Sequence, residues 1–135
     1  MVFEVALGTK RTNTTTTPYR WEWQEIVDRF RRVAHTEETM KQYAELSKAQ
    51  KTEIKDVGFF IGGMTVKRKV SFRQLIALDI DEGSPEVLSD LRAWLSGHSY
   101  LIHSTHSSTP EKPRYRVIAP LDRIVVADEY GALMR

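Results

Sequence analysis

The sequence predicts one mixed domain, of class α/β or α+β, with antiparallel strand pairing. Three observations lead to this class. Strand-like apolar runs recur along the 135 residues, and helix-like periodic runs recur between them. Several strands are separated by turns too short for a crossover, which favours antiparallel neighbours. No segment repeats and no second domain is marked, so residues 1–135 are read as one unit, large enough to bury a core.

"MVFEVAL" (1–7) reads as the first strand, and the polar "GTKRTNTTTTP" (8–18) as a loop. Trp23, Ile26, Val27, Phe30 and Val33 recur at helical spacing and predict an amphipathic helix over 21–34. A second helix is expected after Thr36, with Glu37 and Glu38 in its first turn. Met40, Tyr43, Ala44 and Leu46 would be its buried stripe. "VGFFIGG" (57–63) is a short apolar segment ending in paired glycines. "MTVKRKVSF" (64–72) fits a strand, a basic turn and a second strand that continues into "QLIALDI" (74–80).

The helix after those aspartates has the strongest signals. Ser84 can cap it, Pro85 suits its first position, and Glu86 favours the positive end of its dipole. Val87, Leu88, Leu91, Trp94 and Leu95 supply its apolar face, and Gly97 ends it. "SYLIHST" (99–105) is a strand, "SSTPEKP" (107–113) a turn, and "RYRVIAPL" (114–121) another strand. "VADEYGALMR" (126–135) reads as a closing helix.

Composition narrows the partners. With 41% hydrophobic and 28% charged residues, the chain has the balance of a soluble globular protein. It contains no cysteine, which excludes disulfides and thiolate metal sites and agrees with a cytoplasmic location. No apolar run approaches the roughly 18 residues of a membrane span, and no signal-peptide pattern opens the chain, so no membrane partner is expected. A net charge of +2 says little, but its distribution says more. Lys67, Arg68 and Lys69 adjoin one another, and Lys112, Arg114 and Arg116 recur together, as a nucleic-acid or phosphate contact would need.

Asp79 and Asp81 end the apolar run of "QLIALDIDEG" (74–83). Strand alternation puts both on one face with Leu75 and Ala77, while Ile76, Leu78 and Ile80 point into a core. Two such carboxylates repel each other and lose solvation unless a cation or a base compensates them. As hard oxygen ligands they suit Mg²⁺ or Mn²⁺; the bland alternative is a solvated turn carrying two acids. His106, after the strand, can donate to phosphate or exchange a proton, whereas His103 would face the other way on a regular strand and is read as structural. Arg114 and Arg116 share a face and carry forked donors suited to phosphate, although alternating arginines are commonly just a solvated face.

The apolar-Asp79-Ile80-Asp81 run, followed by a strand ending Ser104-Thr105-His106, resembles the first two motifs of the archaeo-eukaryotic primase superfamily. The longer "HSTHSSTPEKPRYRVIAPLDR" (103–123), with "DEY" (128–130) after it, resembles the phage and mobile-element branch. There such domains stand at the N-terminus of virulence-associated-E-like replication proteins. "RWEWQEIV" (20–27) and "TMKQYAELSKAQKTEIKDVGFFIGG" (39–63) extend the likeness to nearly the whole chain. The resemblance implies a primase-polymerase catalytic core, with an RRM-like, largely antiparallel sheet flanked by helices. Asp79 and Asp81 would hold catalytic Mg²⁺ or Mn²⁺, and His106 would contact the incoming nucleotide's phosphates with help from Ser104. Lys112, Arg114 and Arg116 are added from their spacing as triphosphate or template contacts, and Lys67, Arg68 and Lys69 as nucleic-acid contacts.

The implied partners are a single-stranded DNA template, nucleoside triphosphates, and a helicase domain or subunit of the parent protein. One departure stands out: the superfamily's third acidic motif has no convincing counterpart, since Asp122 and Asp128 sit in a turn and at a helix start. It is expected beyond residue 135, which makes the chain read as a catalytic domain truncated at its C-terminus. Two other readings compete. A haloacid-dehalogenase-like phosphatase also begins with Asp-x-Asp, but normally has a threonine soon after, where this chain has Glu82 and Gly83. A non-catalytic module binding single-stranded nucleic acid would explain the basic clusters without the third acid.

Overall fold

The computed structural model describes residues 1–135. Strand β1 (Val2–Gly8) buries Phe3 and Val5 and pairs antiparallel with β2 (Thr17–Glu22), Phe3 lying opposite Trp21. Helix α1 (Trp23–Phe30) follows at once, its start fixed by Glu25, whose Oε2 accepts from the Glu22 amide at 2.8 Å. The helix is thus shorter than the periodicity over 21–34 predicts. Trp21 is a strand residue, because pairing with β1 satisfies its backbone and buries its indole. Beyond Phe30 the apolar stripe stops, and Val33 is 71% exposed.

The expected second helix is two short ones, α2 (Met40–Glu45) and α3 (Lys48–Ile54). Each has its own capping box, Thr39 with Gln42 and Ser47 with Gln50, so Ser47 starts a new helix after the extended Leu46. Neither helix buries a residue; Met40 and Ala44 are exposed, and Tyr43 alone of the expected stripe lies partly covered within α2.

Strand β3 (Phe59–Ile61) joins the free edge of β1, and β4 (Gly63–Val66) forms a hairpin with β5 (Lys69–Ile80). Lys67 and Arg68 make that turn with φ of 48° and 66°, the left-handed geometry of a two-residue hairpin loop. Helix α4 (Val87–Trp94) comes after β5, with the Val87 amide donating to the Ser84 carbonyl and Gly97 at φ 84° just past its end. Leu91 and Leu95 are buried, but Trp94 is left outside the stripe, exposed. Strands β6 (Leu101–Ser104) and β7 (Tyr115–Val126) and helix α5 (Ala127–Leu133) complete the chain. No helix is long and apolar enough to cross a membrane.

The strands form two sheets, ordered β2-β1-β3 and β4-β5-β7-β6, and every pairing is antiparallel. The class is therefore α+β. Since β5 and β6 both run antiparallel to β7, they run in the same direction, and α4 is the crossover between them. Alternation splits the larger sheet's side chains between two cores. Leu75, Ile118 and Leu101 meet Phe3, Val5, Trp21 and Ile26, whereas Val117 meets Leu91 of α4 and Leu95 at its end, with Leu78, Ile80 and Ile102 around them.

Candidate functional site

The pairing register aligns Asp79 of β5, Arg116 of β7 and His103 of β6 in one row across three strands. Directly paired residues share a face, so all three extend the row of Ala77, Ile118 and Leu101 one step beyond the first core. Arg116 grips Asp79 with both prongs, Nε to Oδ1 at 2.6 Å and Nη2 to Oδ2 at 3.1 Å. The base that the sequence left as one option for compensating the carboxylate is thus supplied in register. The side chains stay 44% and 51% exposed, which limits the pair's contribution to about 0.2–1 kcal/mol. The hydrogen bond to Asp79, with the charges of Asp79 and Asp81, raises the Arg116 pKa against the opposing effect of burial.

His103 is the residue that sequence reasoning passed over. Its Nδ1–H donates to the Ser104 carbonyl at 3.1 Å, its ring lies 5.2 Å from Phe30 of α1, and its Nε2 is buried without a partner. Burial is the main cause of its lowered pKa; the Ser104 carbonyl and Asp79 push it up and Arg116 pushes it down. The unfolded chain takes up this proton near the ordinary value of 6.5, and the folded chain resists it. Stability is thus expected to fall as pH drops below about 6.5, a loss that His103→Phe should reduce. Melting temperatures of parent and variant at pH 7.5 and 5.5 check this, and equal losses would refute it.

Asp81 lies just past β5, exposed, in a turn that is tied to the next loop. There the Gly83 amide donates to the Pro113 carbonyl at 3.2 Å. A Cβ at Gly83 would come within 2.6 Å of Val87 Cγ1 and 3.0 Å of that carbonyl, so this close approach requires glycine. The loop over 105–114 also closes on itself: the Thr105 amide donates to the Arg114 carbonyl, and the Arg114 amide to Ser108 Oγ. Lys112 is held at its tip by reciprocal bonds with Thr109 and stays exposed, while Arg114 is half-buried at its base.

His106 stands in this loop, off the strand. Its Nε2 is 3.2 Å from Thr36 Oγ1 and its ring is 4.7 Å from that of Tyr43. Tyr43 Oη in turn lies 3.3 Å from Ser107 Oγ, and the ammonium groups of Lys51 and Lys55 lie 5.4 and 5.7 Å from the Tyr43 ring. Desolvation raises the Tyr43 pKa, but Lys55, Ser107 and Lys51 together outweigh it and the net direction is down. Three residue steps separate His103 from His106, so their Cα atoms are within about 11 Å. The row and this cationic, aromatic cluster are thus linked through one short stretch of chain, from His103 to His106.

The other sequence candidates divide. Ser104 pairs with Tyr115, and alternation turns its side chain away from the face of Asp79. Lys67, Arg68 and Lys69 sit at the opposite end of β5, about 30 Å from Asp79 at the usual rise per strand residue, so they are not part of the same site. A cleft of about 810 Å³ between the start of β1, Trp23, Trp94, His98 and Asp122 contains none of the ten site residues named from the sequence. For a metal, Asp79 and Asp81 supply the hard carboxylates that Mg²⁺ or Mn²⁺ takes, but no group of three His, Asp or Glu converges on one point. The donor chemistry fits a cation shared with substrate phosphates, provided that Arg116 yields at least one Asp79 oxygen.

Fold and site define an α+β domain with antiparallel sheets, in which acidic, basic and histidine side chains gather at the end of a strand–helix–strand–strand unit. The family model described as the VapE N-terminal domain matches residues 1–135, and the chain belongs to that family, the N-terminal domain of VapE-like replication proteins. No curated protein and no solved structure matches the chain.

Proposed function

We propose that this is a primase-polymerase-like nucleotidyltransferase domain, acting in phage or mobile-element DNA replication. It takes a nucleoside triphosphate at the joined ends of β5, β6 and β7 and acts on a single-stranded DNA template. The observation that carries this reading is the register row of Asp79, Arg116 and His103, with His106 three residues on from His103 and packed on Tyr43. Such a row offers a carboxylate to a cation and guanidinium and imidazole donors to phosphate. The order of β5, α4, β6 and β7, with β7 inserted between the other two strands, also suits an RRM-like core.

Asp79 and Asp81 would hold Mg²⁺ or Mn²⁺, which when bound would neutralise phosphate charge and favour an attacking hydroxyl. Arg116 would exchange Asp79 for the triphosphate, and Arg114 and Lys112 would face the same ligand from the loop. Lys67, Arg68 and Lys69, remote from this site, would contact the template strand, and a helicase domain or subunit would act beside the domain in the parent protein.

A second reading, a non-catalytic single-strand-binding module, is favoured by the bidentate hold of Arg116 on Asp79 and by the absence of a three-ligand cluster. Membership of the VapE family leaves the phosphatase reading without support. The deciding experiment is incubation with single-stranded DNA, nucleoside triphosphates and Mn²⁺ or Mg²⁺. Metal-dependent strand synthesis is expected of the parent protein, and only weak synthesis of residues 1–135, which supply two of the three expected carboxylates. Metal-independent binding of the strand with no nucleotide incorporation would favour the binding module instead.

A further inference from the structure

We propose that Tyr43 of α2, Lys51 of α3 and Lys55 at the end of α3 form with His106 and Ser107 a cradle for the phosphate tail of a nucleoside triphosphate. The inference rests on the nucleotide reading above and adds to it a helical half that no sequence motif marks. Lys51 of α3 and Lys55, the residue that caps its C-terminal end in helical geometry, are four residues apart, so they project to one side. Both ammonium groups stand over the Tyr43 ring, and neither takes part in any of the three salt bridges of the chain. Lys51 gives one proton to the Ala44 carbonyl at 3.0 Å, leaving two free.

The way the helices are attached points to the same conclusion. Neither α2 nor α3 buries a residue, and Tyr43 reaches the 105–114 loop by meeting His106 and Ser107. Hydroxyl, imidazole and ammonium groups thus gather around the Tyr43 ring with no carboxylate bound to either lysine. A multiply charged anion with several acceptor oxygens is the ligand such a set recognises. A triphosphate is preferred to a nucleic-acid backbone because the register row that holds the Asp79 carboxylate also holds His103, three residues before His106, so a cation on Asp79 could share an extended phosphate chain with the cradle.

Calorimetric titration of residues 1–135 with inorganic tripolyphosphate, without divalent metal, tests the cradle. The parent is expected to bind, and Lys51→Gln/Lys55→Gln to bind at least about tenfold more weakly with an unchanged melting temperature. Lys51→Arg/Lys55→Arg should restore binding, and Tyr43→Phe, which keeps the ring against His106, should lose only the hydroxyl's share. Equal affinity of parent and glutamine variant overturns the proposal, as does a parent that does not bind. Weakened binding of a single-stranded oligonucleotide with unchanged tripolyphosphate affinity also overturns it, in favour of strand contact. The two readings fail separately. A lysine effect without any metal-dependent transfer leaves the cradle and removes the enzyme; metal-dependent transfer indifferent to the lysines does the reverse.

Discussion

Asp79→Asn/Asp81→Asn is expected to lower Mn²⁺-dependent binding of nucleoside triphosphate by about a hundredfold or more. Each lost charge-assisted contact is worth about 1.5–3 kcal/mol, and two together correspond to roughly 10²–10⁴ in affinity. The fold should hardly notice. Asp79 loses a half-exposed ion pair with Arg116, worth less than about 1 kcal/mol, while the repulsion between the two acids is relieved. Asp122→Asn/Asp128→Asn is the control, because both residues are exposed acids outside the row. Arg116→Gln adds a sharper comparison: freeing both Asp79 oxygens should tighten binding of Mn²⁺ alone and weaken binding of the triphosphate. Undiminished Mn²⁺-dependent binding by the double asparagine variant would remove the two aspartates from the site.

Ile118→Ala should have the largest effect on stability. Ile118 is 1% exposed in β7, paired with Ala77 on one side and Leu101 on the other, and it belongs to the first core. Truncating such a side chain costs about 2–5 kcal/mol through lost transfer energy and the cavity left behind. For a domain of this size that corresponds to a melting temperature lower by roughly 10 °C. Arg116 is two residues away on the same face, so the row is expected to loosen as well and nucleotide binding to weaken. Truncation of the exposed Val33 on the same assay should change little, because it has left the apolar stripe of α1. Equal melting temperatures for the parent and Ile118→Ala would refute this account of the core.

Local pattern carried much of the fold. The strand ending in Asp79 was legible because period-two alternation and a two-residue basic turn agree. Helix α4 was legible in its buried Leu91 and Leu95 and in Gly97 beyond its end. Trp21 was misread because an aromatic residue beside a periodic run satisfies both templates, and only the presence of β1 alongside decides for the strand. The split between α2 and α3 was available in the spacing of Ser47 and Gln50, the same capping signature that begins α2 at Thr39 and Gln42. Their apolar residues lacked a partner surface, which no periodicity can reveal.

By itself the sequence determined that Asp79 stands near the end of an apolar strand with Asp81 two residues on, while the structure places Asp81 just past the strand, where alternation no longer assigns its face. The sequence likewise determined that His106 follows the next strand, and that basic residues lie near both, since each statement concerns residues close along the chain. The tertiary structure decided which residues meet. The register of β5, β7 and β6 put Arg116 on Asp79 and His103 beside Arg116, and a slip of one residue would have turned each to the other face. The twelve residues of β5 kept Lys67, Arg68 and Lys69 away from Asp79, and the docking of α2 and α3 set Tyr43 against His106 with Lys51 and Lys55 over its ring. Backbone propensity and alternation act over a few residues, whereas register and docking are settled by burial and hydrogen bonding between segments distant along the chain.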